Sequence, residues 1–161
     1  MECCKSKFVV IPQRIEHVIK EYEVKLSNVD GEDIWPSTRL LLDYPPYKKG
    51  EFYVQYSSTL LISKLAPIYY LQHEFQVENF DPNHIAPILD GYDVQPYSQK
   101  QLNIEMKINS ILSNLNYTKL NDVEMNKVIC DLQLPIDHSI FQSQITVEYA
   151  LFFDVMGVCP Y

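Results

Sequence analysis

The 161-residue chain carries 13 basic and 21 acidic residues, a formal net charge of −8. That balance argues against binding to a nucleic-acid backbone or an anionic membrane surface, both of which attract basic patches. A hydrophobic content of 47%, with 12% aromatics, excludes general disorder, and the length fits one domain, 1–161, able to bury a core without metals or disulfides.

The opening MECCKSKFVV holds no apolar run of signal-peptide length, and no later segment approaches about 18 uncharged apolar residues, so a soluble, cytoplasmic protein is expected. Cys3 and Cys4 are adjacent while Cys130 and Cys159 stand alone, so no CxxC zinc spacing exists and free thiols are expected. Phe8-Val9-Val10 is a candidate short strand. Pro12 is placed to open a helix, and Ile15, Val18, Ile19, Tyr22 and Leu26 continue one apolar stripe at helical spacing. Tyr22 to Leu26 also alternates, which leaves a strand open there; the helix is the favoured reading.

Residues 28–37, NVDGEDIWPS, form a loop by their Asp-Gly and Trp-Pro content. Asp30, Glu32 and Asp33 gather beside Trp35, the single tryptophan, as a candidate contact site, because aromatics anchor interfaces; a lone tryptophan also commonly closes the edge of a core. Leu40-Leu41-Leu42 is a candidate strand. The following DYPPYKKG is a turn region in which Pro45-Pro46 forbids helix.

The run 52–77 is the densest apolar and aromatic stretch, and before His73 its only charge is Lys64. Phe52, Val54 and Tyr56 alternate against Tyr53, Gln55 and Ser57, and Tyr69, Leu71, His73, Phe75 and Val77 against Tyr70, Gln72, Glu74 and Gln76. That period of two predicts an antiparallel meander of two or three strands, broken before Ile68 by Pro67. A helix from Ser58 to Phe75 is disfavoured by Pro67 and by the β-branched and aromatic content.

Residues 78–97 form a long loop with at most short strands, punctuated by Pro82, Pro87, Pro96 and Asp90-Gly91. Its acids Glu78, Asp81, Asp90 and Asp93 interleave with Phe80, Tyr92 and Tyr97, which makes it the second candidate partner surface. Ser98 with Gln101 is a capping box opening a helix whose buried stripe is Ile104, Ile108, Ile111, Leu112 and Leu115, joined by Leu102. Asn121 with Glu124 opens a second helix carrying Met125, Val128, Ile129 and Leu132 up to Pro135. Near the end, Ile145, Val147, Tyr149, Leu151 and Phe153 alternate as a strand joining the sheet. Thr146 would instead cap a helix ending at Gly157; the strand is the favoured reading.

The fold expected is therefore α+β, an antiparallel sheet made of the meander around 52–77 plus a C-terminal strand, packed against two or three helices. The histidines His17, His73, His84 and His138 stand in no HExxH, HxH or HxxxH spacing, and GxSxG, GxxxxGK[ST] and GxGxxG are all absent. No catalytic residue, cofactor or metal is expected on these grounds. His73-Glu74 would point to opposite faces of a strand, which argues against a dyad.

The segments Ile62 to Phe75, ISKLAPIYYLQHEF, and Ala150 to Pro160, ALFFDxxGxCP, together with the acidic character, resemble the cytosolic immunity proteins of bacterial polymorphic and contact-dependent toxin systems. The resemblance implies a non-enzyme that binds one cognate toxin domain, often a nuclease, and blocks it. An acidic, aromatic-studded face suits a basic active-site cleft. Two alternatives stand beside it: a small enzyme or ligand-binding domain with a pocket near His73, and a subunit of a larger assembly.

Overall fold

The computed structural model describes residues 10–28, 36–79, 89–130 and 145–153. Helix α1 (Val10–Ile19) runs into a single 3-10 turn, Lys20–Tyr22, and then into β1 (Lys25–Asn28), β2 (Ser37–Asp43), β3 (Tyr47–Lys49), β4 (Phe52–Ser63), β5 (Ile68–Asn79) and β6 (Leu89–Asp93). Helix α2 (Gln99–Ser113), β7 (Thr118–Leu120), α3 (Asp122–Met125) and α4 (Val147–Phe152) complete the described elements.

The alternation over 52–77 becomes a hairpin of two twelve-residue strands, β4 and β5, paired antiparallel from Phe52↔Asn79 to Ile62↔Tyr69. The reversal occupies 64–67, where Pro67 withholds a ladder donor. Each long strand is flanked by two shorter ones. β2 and β3 divide the outer edge of β4, with β1 beyond β2; β6 and β7 divide that of β5, and only β7 is parallel.

The two faces of the sheet are covered differently. On one face Leu40, Leu42, Leu60, Ile62, Tyr69 and Leu71 pack against Ile15 and Ile19 of α1 and Ile104, Ile108 and Leu112 of α2. Full burial of one such aliphatic side chain contributes about 1.5–3 kcal/mol, so this face holds most of the hydrophobic stabilisation. On the other face a smaller cluster, Leu61, Tyr70, Met125 and Phe152, covers one end among the described residues. There the hydroxyls of Ser37 and Ser63, opposite each other in register, donate to the Phe152 and Leu151 carbonyls at 2.7 and 2.9 Å. They satisfy orphan acceptors at the end of α4 and tie it to the sheet.

The α+β architecture agrees with the expectation, and several elements differ from it. The segment expected as a C-terminal strand is helix α4, preceded by the isolated β-bridge Val128↔Thr146. Thr146 caps it by accepting from the Tyr149 amide. The alternation could not select a face because 149–153, YALFF, is apolar throughout. The N-terminal helix stops before Leu26: Glu23 takes a left-handed conformation at φ 57°, and Leu26 lies in β1. Val10 is helical rather than part of a strand, and Phe8 and Val9 lie outside the described residues.

The turn region after β2 contains the three-residue strand β3. Helix α2 and its capping box form as expected, but Leu102 lies on the outer side at 37% exposure. The second capping box also forms, yet α3 ends at Met125, Val128 is exposed, and Leu132 lies outside the described residues.

Candidate functional site

Among the described residues two groups of side chains carry chemistry, one beneath α2 and one on the open part of the sheet. The buried group begins with register, which sets Ser58 opposite His73 on the helix-covered face. Both are fully buried. Ser58 Oγ donates to the Tyr44 hydroxyl at 3.2 Å and lies 2.8 Å from His73 Nδ1; with its own proton directed at Tyr44, it accepts from Nδ1–H. His73 Nε2 reaches Oε2 of Glu105 at 3.5 Å without hydrogen-bond geometry. The other Glu105 oxygen takes Lys119 Nζ at 2.5 Å, linking α2 to β7.

Burial alone would raise the Glu105 carboxyl, but the partners His73 and Lys119 outweigh it and hold the group down at about 2. Tyr44 moves the other way, pushed up to about 12 by burial, with the Ser58 hydrogen bond opposing and the Glu105 charge adding. Tyr69, whose hydroxyl donates to Asn109 at 2.8 Å, also rises to about 12, through burial and then the Glu105 charge.

Ser58, His73 and Glu105 have the residue types of a hydrolytic triad. Their arrangement differs: the serine lies at Nδ1 and the acid at Nε2, and neither Ser58 nor His73 has exposed surface through which a substrate could arrive. His73 itself lies in the packed contact between β5 and α2. What this group does in the observed conformation is to hold helix to sheet. Gln101 works beside it: its amide donates to the Ser57 and Glu74 carbonyls at 2.9 and 3.1 Å, while its oxygen accepts from the Tyr97 and Ser98 amides.

The second group lies on the opposite face, beyond the cover of α3 and α4. Register pairs Tyr92 with Glu74 and Asp90 with Gln76, and the period of two adds Gln72 and Glu78 to the same side. Three of the expected partner residues, Glu78, Asp90 and Tyr92, are thus brought together around Glu74. Tyr92 is 76% exposed, and Asp90 is exposed as well. Asp93 pairs with His73, one step out of phase, and its carboxylate accepts the Gln95 amide at 3.2 Å. Asp30, Glu32, Asp33, Trp35 and Asp81 lie outside the described residues.

Carboxylates continue toward the covered end. The Tyr70 hydroxyl donates to Asp122, and burial, that bond and the charges of Asp122, Glu148 and Asp93 all push its pKa upward. Burial raises the Glu148 carboxyl. Glu74 belongs to this surface although it lies outside both stretches, 28–37 and 78–97, that the sequence offers as partner surfaces. The signal was present in the polar phase Gln72, Glu74, Gln76, Glu78, a strand side too polar to be buried.

Among the described residues no group of three or more His, Cys, Asp or Glu could hold a metal ion, and no helix is long and apolar enough to cross a membrane. Comparison with known protein families, curated proteins and solved structures gives no match to the chain.

Proposed function

We propose that this chain is a protein-binding module, an immunity protein of the cytoplasm that neutralises a basic toxin domain by covering its active site. The observation that supports this most is the juxtaposition of Tyr92, Glu74, Glu78 and Asp90 on one sheet face. A rigid sheet presents an exposed aromatic anchor inside a negative field, the combination that speeds encounter with a basic partner and then retains it. The net charge of −8 acts in the same direction over longer range.

The test uses the gene immediately upstream. If it encodes a large secreted protein, the C-terminal domain of that protein is co-expressed with this chain. The reading predicts a stable complex and survival of the host; neither complex nor protection would overturn it. A toxin domain with an acidic surface would contradict the electrostatic part of the account.

A further inference from the structure

β6 is the last strand of the sheet path, and among the described residues it pairs with β5 alone. An outermost strand carries backbone N–H and C=O groups that a second chain can pair with, unless the edge is guarded. Three observations describe this edge. Gly91 sits against Phe75 so closely that an added Cβ would lie 2.6 Å from the ring, and Phe75 in turn meets Tyr97 edge-on at 4.6 Å between centroids. The strand is therefore braced from below and pre-ordered for pairing. Tyr92 projects almost free of the protein, and Asp90 and Asp93 are exposed.

Resting on the protein-binding reading above, we infer that the partner docks by strand addition, laying a cationic extended segment along the outer edge of β6. Backbone hydrogen bonds supply register, and alternate side chains supply selectivity. At about 3.3 Å per residue the five residues of β6 offer a ladder roughly 17 Å long. An added strand sets its own side chains beside Asp90 and Tyr92 on the acidic face. Lysine or arginine there pairs with the carboxylate and stacks its stem or charge on the tyrosine. A second copy of this edge is the wrong occupant, because it would crowd four carboxylates, Asp90 and Asp93 from each chain, into one short ribbon. The acids thus reject self-pairing and admit a basic strand.

The experiment uses the full chain and a capped peptide of about ten residues alternating lysine and valine, with a glutamate–valine peptide as control. Amide exchange and amide shifts are followed residue by residue. The expected result is slowed exchange within 89–93 with the lysine peptide only, weakened by salt. In the double variant Asp90→Lys, Asp93→Lys, affinity should fall at least about tenfold while the circular dichroism stays unchanged. Shifts confined to Glu74 and Glu78, or none, would overturn strand addition. So would concentration-dependent assembly through β6, which would make a second copy the occupant. The failure of each reading is separable. If the variant still binds and neutralises the toxin domain, strand addition falls and immunity stands. If the peptide binds but the toxin domain does not, immunity falls and the docking edge stands.

Discussion

Glu105 shows how much a single half-buried side chain decides in this fold. Its carboxylate is held at about 2, against an ordinary 4.5, by His73 and Lys119 acting against the cost of burial. A group depressed on folding contributes stability above its unfolded value and loses it as pH falls. The contribution is therefore complete above about 4.5 and disappears progressively down to about 2. Urea midpoints measured from neutral pH to pH 3 should decline for the wild type, and Glu105→Gln should flatten that decline in part. An unchanged slope in the variant would show that Glu105 is not the linked group.

Gly91 makes a second prediction at this scale. Alanine there must displace a Phe75 ring already packed on Tyr97, and such overpacking costs about 1–3 kcal/mol. Thermal unfolding should register the loss, and adding Phe75→Ala should make the pair less than additive. Strict additivity would mean that the close approach relaxes elsewhere.

At the scale of elements, α2 is fixed by its first turn as much as by its apolar stripe. Ser98→Ala removes one cap and should cost about 1 kcal/mol. Gln101→Ala should cost more, because it removes both the capping-box acceptor and the amide that donates to the Ser57 and Glu74 carbonyls, each side-chain hydrogen bond contributing about 1 kcal/mol. Chemical denaturation of the two variants gives the order; equal losses would show that water replaces the amide.

The same helix shows why some elements are legible in sequence and others are not. A capping box is a local contract between two side chains and two backbone amides, so Ser98–Gln101 and Asn121–Glu124 were both readable. The long hairpin was readable because polar and apolar residues alternate strictly over most of β5. Where the pattern is degenerate the reading failed: YALFF fits strand or helix, and the choice of α4 is made by Thr146 and by the Ser37 and Ser63 hydroxyls waiting on the sheet. The end of the 3-10 turn that follows α1 depends on Glu23, one left-handed residue that is not glycine, which no local rule announces.

For the whole molecule, the sheet divides labour between its faces. One is buried under α1 and α2 and contains the Ser58–His73–Glu105–Lys119 chain; the other, among the described residues, leaves its polar half open. Of the residues singled out from sequence, Glu78, Asp90 and Tyr92 converge on that open half, and Glu74 joins them only through register. Pairing of this kind links positions far apart in the chain, so the composition of a loop reveals its acids but not which strand they will face. His73 illustrates the converse. It was a plausible reactive residue by type, and its opposite number, Ser58, and the covering α2 turn it into part of the core.

The central claim is that the acidic, tyrosine-bearing face is the binding surface. Its most direct measurement is the affinity of the chain for the basic toxin domain proposed as its partner, by calorimetry at low and high salt, for wild type and for the variant Glu74→Gln, Asp90→Asn, Tyr92→Ala. The account predicts tight, salt-weakened binding by the wild type and a loss of two orders of magnitude or more, about 3 kcal/mol, in the variant. Equal affinity of the two proteins, with the same salt dependence, would place the binding surface elsewhere and contradict it.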